Sequence, residues 1–128
     1  MSAGAIDDEV AVAVLDRLSD VALVDDAAYS ENYVLTRHAS SGKARRALGH
    51  ELRAKGVQEA VITDALDALD PEQELETARA LVAKKLASTA RFDPEVRTRR
   101  LVGMLARKGY PGGLALRVVT EALAGEAE

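Results

Sequence analysis

A short pattern of leucines followed by Lys-Gly occurs twice in this chain of 128 residues. In each copy, two leucines four residues apart precede a Lys-Gly pair and one further apolar residue. The copies lie at a constant offset of 53 residues and comprise Leu48, Leu52, Lys55, Gly56 and Val57, then Leu101, Leu105, Lys108, Gly109 and Tyr110. Such a repeat is typical of modular arrays whose surfaces bind partners, and these arrays are rarely built around a catalytic pocket.

The composition favours helices. Apolar residues make up 48% of the chain but aromatic residues only 3%, so the core must consist of Leu, Val and Ala. These residues suit helices that pack closely through small side chains. The absence of Cys excludes a disulfide framework and thiolate metal sites. No segment approaches the roughly 20 apolar residues of a membrane span, and no signal peptide is recognisable, so we expect a cytoplasmic protein without membrane contact.

Apolar residues recur with the 3.6-residue period of helices throughout the chain, and no strand pattern is present. Two Asp-Pro pairs, Asp70-Pro71 and Asp93-Pro94, are typical helix starts, and Gly56 and Gly109 are typical helix ends. Pro111-Gly112-Gly113 is expected to form a turn. The predicted helices cover residues 6–19, 25–40, 43–55, 58–69, 71–89, 94–108 and 114–124.

These helices predict an all-α fold of tandem three-helix repeats in an elongated, curved, solenoid-like arrangement. We expect a partial repeat over residues 1–24, a middle repeat over 25–70 and a C-terminal repeat over 71–128. The partial repeat contributes one helix, whose apolar residues align with those of the third helix of the middle repeat at an offset of 51 residues. Because a repeat without its neighbour exposes an apolar face, we expect an apolar patch or self-association at the N-terminal end.

The net charge of −4 conceals an alternation of charge along the chain. Residues 1–42 and 57–78 are acidic, whereas 43–56 and 79–108 are basic. One interpretation is that solvated helix faces pair with each other; the other is a basic surface that binds an anionic partner. Several of these cations lie near helix starts, where the helix dipole disfavours them, so the second interpretation is favoured. The candidate binding residues are Lys43, Arg45, Arg46, Arg53, Lys55, Lys84, Lys85, Arg97, Arg99, Arg100, Arg107 and Lys108.

Catalytic signals are weak. His38 and His50 have no carboxylate at helical spacing that would suggest a metal site, and both are expected at the surface. Gly112-Gly113 lacks the strand and the spaced glycines of a phosphate loop, and no nucleophile elbow is present. Tyr29, Tyr33 and Tyr110 are expected to pack in or near the core. We therefore expect a protein that is not an enzyme and that carries no cofactor or metal.

Three segments in order resemble the RecX family. Residues 23–37 read LVDDAAYSENYVLTR, residues 46–57 read RALGHELRAKGV, and residues 101–110 read LVGMLARKGY. Each segment resembles one phrase of that family, and together they place the resemblance over roughly residues 6–124. Family members usually carry three repeats, and by this comparison we expect the sequence to lack the first two helices of the first repeat.

The resemblance implies a regulator of the RecA recombinase. It implies that the chain lies in the groove of the filament formed by RecA on single-stranded DNA, inhibits ATP hydrolysis and strand exchange, and promotes filament disassembly. Among the candidate residues, the family phrases include Arg53, Lys55, Arg107 and Lys108. Two other hypotheses stay open: a helical module that binds nucleic acid without recombinase specificity, and a self-associating scaffold. Whether the chain contacts single-stranded DNA directly also stays open.

Overall fold

The computed structural model describes residues 25–127, which form α-helices and one 3-10 turn and contain no strand. The first helix, α1, is described from residue 25 to residue 41. It is followed by α2 (Arg45–Ala54), α3 (Glu59–Asp67), α4 (Pro71–Leu86), the 3-10 turn Ala87–Thr89, α5 (Pro94–Arg107) and α6 (Gly112–Ala127). The prediction of an all-α fold of three-helix repeats is confirmed. The curved solenoid shape stays a prediction.

The sequence signals for helix ends are confirmed where a capping side chain or a left-handed glycine sets the end of the helix. Asp70 caps α4, because its side chain accepts a hydrogen bond from the Glu72 amide, and Pro71 occupies the first turn. Gly56 and Gly109 have φ of 86° and 94°, the left-handed conformation expected after a helix.

The predicted turn at Gly112-Gly113 is wrong. Both glycines lie in the first turn of α6, where the Ala115 amide bonds to the Pro111 carbonyl. Glycine weakens a helix interior, but it is tolerated at a helix start that tertiary packing supports. The predicted helix at residues 6–19, and the apolar patch or self-association expected there, lie outside the described residues.

The repeated leucines form the centres of two separate cores. In the N-terminal unit (α1–α3), Leu48 and Leu52 of α2 are fully buried together with Val34 and Ile62. In the C-terminal unit (α4–α6), Leu101 and Leu105 of α5 are buried to the same degree in a larger cluster. Each fully buried leucine contributes about 2 kcal/mol of hydrophobic free energy. The repeated pattern therefore supplies the central side chains of both units.

One residue of the N-terminal unit belongs to the core of the other. Ala44, in the loop between α1 and α2, is completely buried among the C-terminal cluster, which includes Leu105 and Tyr110. Its amide donates a hydrogen bond of 2.8 Å to the carbonyl of Lys108. The loop over residues 42–44 thus joins the two units through the core as well as through the backbone.

The second Lys-Gly turn, at Lys108–Tyr110, contacts the loop over residues 42–44, and we call this contact between the two units the joint. The Lys108 ammonium donates to the Ser41 carbonyl at 2.7 Å, and the buried Tyr110 hydroxyl donates to the Gly42 carbonyl at 2.8 Å. Burial, and to a smaller extent the nearby Glu74 carboxylate, raises the pKa of Tyr110, which keeps this hydroxyl protonated as a donor. The turn and the loop satisfy each other's buried polar groups.

Two polar links between α1, α2 and α4 reinforce the joint. The backbone amide and the guanidinium of Arg45 bind the largely buried Glu74 carboxylate of α4, and the guanidinium also donates to the Leu69 carbonyl. His38 of α1 contacts the Lys43 carbonyl through Nδ1 at 2.7 Å and the Thr77 hydroxyl through Nε2 at 2.8 Å. Because a carbonyl can only accept, Nδ1 carries a proton.

The expectation that His38 lies at the surface is therefore wrong. This side chain is 3% exposed, because it fills the space between α1 and α4 and binds groups from both units. His50 is exposed, as expected. Tyr110 is buried and Tyr33 partly buried, also as expected, whereas Tyr29 is 48% exposed and packs against the Tyr33 ring at a centre-to-centre distance of 5.9 Å.

Gly109 is predicted to be needed for the contact between the two units more than for the conformation of the turn in which it lies. A Cβ built on Gly109 would lie 2.6 Å from the Ala47 backbone nitrogen, whereas a Cβ on Gly56 would meet no described atom within 4 Å. We expect Gly56→Ala to cost about 1 kcal/mol of unfolding free energy for its left-handed backbone alone. Gly109→Ala should cost about 3 kcal/mol, because the overlap adds to the same backbone term. Urea unfolding measures both; equal losses would show that the contact with Ala47 is unimportant.

Candidate partner-binding surface

Several predicted basic residues of the N-terminal unit are engaged within the protein. Glu51 of α2 accepts hydrogen bonds from Tyr33, Arg37 and Lys43, so it ties α1 and the following loop to α2. Partial burial raises the pKa of Glu51, but these three hydrogen bonds outweigh it and lower the pKa to about 2. Lys43 thereby has an internal partner, which it shares with Arg37, and serves the fold.

The same holds for three other predicted cations of α2 and its end. Arg45 binds Glu74 across the joint between the units. Arg53 forms a two-pronged ion pair with Glu59 at the start of α3, although both side chains are more than half exposed. The Lys55 ammonium lies 5.4 Å from the centre of the Tyr33 ring, within the range of a cation–π contact. Among the predicted residues of α2, this leaves Arg46 exposed and without an ion pair to a described carboxylate.

Two predicted cations of the C-terminal unit also have internal partners. The Arg97 side chain is only 13% exposed and binds the Thr89 hydroxyl, the Leu86 carbonyl and the Glu126 carboxylate. It therefore connects α5 to the end of α4 and to α6. Lys108 bonds to Ser41 in the joint described above. Arg97, which was predicted to share a basic surface with Arg100 and Arg107, is thus turned inward.

The remaining predicted residues stay on the surface with unsatisfied charge. Within residues 25–127 they form no ion pair, and they are Lys84 and Lys85 at the end of α4 and Arg99, Arg100 and Arg107 along α5. Lys85, Arg100 and Arg107 line a common cleft of about 280 Å³. A surface cation that has no internal partner keeps its full field for an external anion.

An aromatic side chain organises this cleft. The guanidinium carbons of Arg91 and Arg100 lie 4.7 Å and 4.1 Å from the centre of the Phe92 ring. Both contacts are short enough for cation–π attraction, which holds a guanidinium plane while its N–H groups remain free. We call the surface formed by Lys85, Arg91, Phe92, Arg100 and Arg107 the arginine cleft. Its fixed guanidinium groups suit the recognition of carboxylates or phosphates.

Arg91 and Phe92 are not among the binding residues predicted from the sequence. Both lie in the connection between α4 and α5, outside any helical stripe, so helical periodicity could not relate them to Arg100. A usable signal was present, because the single Phe of the chain is flanked by Arg91 and stands in the basic stretch 79–108. Only the folded connection shows that this ring contacts Arg100.

The described residues offer no alternative metal site. No group of three or more His, Asp or Glu side chains between residues 25 and 127 is arranged to hold a metal ion. In that part of the chain, no helix is long and apolar enough to cross a membrane.

Comparison with family models gives two adjacent matches. Residues 25–66 match the second three-helix domain of RecX, and residues 72–119 match its third three-helix domain. The chain belongs to the RecX family. Curated members of this family are named as regulatory proteins, which agrees with the resemblance seen in the sequence.

Curated relatives of this RecX-family chain support the assignment. Proteins named regulatory protein RecX from Thermobifida fusca and Streptomyces coelicolor are each 54% identical to it, over 94% and 96% of this chain. The protein of that name from Mycolicibacterium smegmatis is 48% identical over 94% of this chain. The chain spans 65% of the length of the first two relatives and 66% of the third. No solved structure matches the chain.

The Glu51 cluster predicts a pH-dependent stability. Because the folded-state pKa of about 2 lies below the ordinary value of 4.5, ionised Glu51 stabilises the fold above pH 4.5, and this contribution is lost as the pH falls toward 2. Since Glu51 is partly solvated, we expect Glu51→Gln to cost about 1–2 kcal/mol at pH 7. Urea unfolding at pH 7 and near pH 2.5 should show the difference between variant and parent shrink.

Glu59→Gln is the matched control, because Glu59 also pairs with an arginine but is 63% exposed. It should cost less than about 0.5 kcal/mol at either pH. A Glu51→Gln loss that is equally large near pH 2.5 would show that the carboxylate charge is not what stabilises this cluster.

Proposed function

We propose that this chain regulates the RecA recombinase by binding the filament that RecA forms on single-stranded DNA. In this proposal it lies in the filament groove, inhibits ATP hydrolysis and strand exchange, and promotes filament disassembly. Such a regulator acts in the cytoplasm, where recombinase and DNA meet. Family membership supports the kind of partner, and the arginine cleft is the observation that carries the proposed binding mode.

The arginine cleft supplies the electrostatic part of this interaction. Arg100 and Arg107 present cations that no described carboxylate neutralises, and Phe92 holds one of them in place. These groups are proposed to face acidic side chains of recombinase subunits or phosphates of the bound DNA. The bulk of the helical units then excludes the duplex that strand exchange requires. This is inhibition by occupation of the groove, and it needs no catalytic group.

The alternative is binding to naked nucleic acid without a recombinase. Single-stranded DNA is usually held by free aromatic rings on which bases stack. Phe92 in the cleft is already engaged by two guanidinium groups, and Tyr110 is buried. The acidic stretch 57–78 would also repel phosphates. These observations favour a protein that carries nucleic acid over nucleic acid alone.

Charge reversal at the cleft should weaken filament binding. We expect the double variant Arg100→Glu/Arg107→Glu to bind RecA filaments about tenfold or more weakly near 50 mM salt, since each reversed surface contact contributes about 0.7–1 kcal/mol. The difference should shrink as salt increases, because screening removes the attraction that the variant lacks. Filament binding and the rate of ATP hydrolysis by the filament are measured together.

Arg117→Glu is the matched control, because Arg117 is an exposed arginine on α6 that lies outside the cleft. It should leave binding unchanged, and circular dichroism should show both variants folded. If the parent chain changes neither filament length nor ATP hydrolysis at low salt and in excess, regulation of RecA is the wrong function. Equal affinity for naked single-stranded DNA and for filaments would favour the alternative.

A further inference from the structure

A second depression lies between the two units and has a different character. It occupies about 1110 Å³, with α1 on one side and α4 on the other, and we call it the interunit groove. Its apolar lining comes from both units and comprises Leu35, Ala39, Leu69, Ala80, Leu81 and Met104. Among residues 25–127, no Phe, Tyr or Trp side chain and no carboxylate lines it. The groove therefore offers an apolar floor without the rings that stack on nucleic-acid bases.

Lysines occupy its edge. Lys84 and Lys85 are exposed, contribute to the lining, and form no ion pair within residues 25–127. Lys108 also lines the groove, with its ammonium at the Ser41 carbonyl. An apolar floor with a cationic edge is complementary to a segment that is apolar on one face and acidic beside it.

One leucine in the apolar lining of the interunit groove is exposed. Leu35 is 44% exposed, although it is part of a helix whose neighbouring Val34 is completely buried. Burial of such a side chain by a partner is favoured by the hydrophobic effect. Leu116 of α6 is exposed to a similar degree, 52%, but does not line the groove. The two leucines therefore form a matched pair for an experiment.

The groove is held open by the joint between the units. His38, Gly42 and Thr77 contribute to its walls, and all three take part in contacts between α1, its following loop and α4. A Cβ on Gly42 would lie 3.1 Å from the Leu81 side chain, so the loop and α4 already touch. Because these internal contacts hold the walls in place, a partner would bind with little reorganisation of them.

We propose that the interunit groove binds an acidic, amphipathic helix of a protein partner. Two turns of an α-helix, about 11 Å long and 10 Å wide with side chains, fill about 900 Å³, which matches the groove. Leucine-like side chains at i, i+3, i+4 and i+7 would cover Leu35 and Leu81, with acids beside them at Lys84 and Lys85. The proposal rests on the function proposed above for the partner's identity, but not for the chemistry of the groove.

A synthetic helical peptide tests this chemistry directly. The probe is a labelled 14-residue peptide with Leu on one face and Glu on both flanks, and its counterpart carries Lys in place of Glu. Fluorescence anisotropy with the full chain should show binding of the Glu peptide only. We expect Lys84→Glu to weaken binding about fivefold at low salt, and Leu35→Asp about tenfold. Leu116→Asp should leave binding unchanged.

Several outcomes would overturn the proposal. Equal binding of both peptides would show that charge complementarity does not contribute to binding. Equal effects of Leu35→Asp and Leu116→Asp would show that the peptide does not bind in the groove. Displacement of the peptide by a single-stranded oligonucleotide, with binding of that oligonucleotide insensitive to Leu35→Asp, would assign the lysines to nucleic acid. A peptide of residues 6–20, itself acidic and apolar in stripes, is also included. If it binds more tightly than the Leu–Glu peptide, the occupant is the chain's own segment.

The two proposals fail independently. Arg100→Glu/Arg107→Glu alters only the arginine cleft and should leave affinity for the Glu peptide unchanged, whereas Lys84→Glu alters only the groove. If the peptide binds and filaments do not, regulation of RecA fails while the groove proposal stands. If filaments bind and the peptide does not, the groove proposal fails. Circular dichroism of each variant excludes loss of folding as the cause.

Discussion

The contact between the loop at residues 42–44 and the turn at Lys108–Tyr110 is the interaction on which the remaining structure depends. It combines a backbone bond from Ala44, a buried bond from Tyr110 to Gly42, and the close approach of Gly109 to Ala47. Without it, two small cores would each be covered on one side only. With it, the interunit groove acquires walls in defined positions, because α4 is held beside α1.

The period of the apolar residues and the residues typical of helix starts and ends predicted the helices, because these signals are local in the sequence. Leucine spacing identifies the buried face of α2 and α5, and Asp70-Pro71 and the left-handed glycines identify helix ends within a few residues. Gly112 and Gly113 show the limit of this reasoning. Their intrinsic preference indicates a turn, but packing of α6 against α4 and α5 outweighs it.

The candidate site was less predictable because charge alone does not show which cations have partners. Arg45 and Arg97 have the same chemistry as Arg100, but their partners Glu74 and Glu126 are 29 residues distant along the chain. Such pairs become visible only when helices are placed in space. The same applies to His38, whose two partners belong to different units, and to the contact of Phe92 with Arg100.

The approach of Gly109 to Ala47 also gives the tandem units a polarity. The glycine turn belongs to the C-terminal unit, and Ala47, the small residue that it contacts, belongs to the N-terminal unit. The contacting faces of the two units are therefore not interchangeable. At the offset of 53 residues, the position of Ala47 corresponds to Arg100, whose guanidinium stands against Phe92. A glycine turn could not approach α5 there as closely as Gly109 approaches α2. The difference between Ala47 and Arg100 therefore determines which unit can receive the glycine turn, and hence the order of the units.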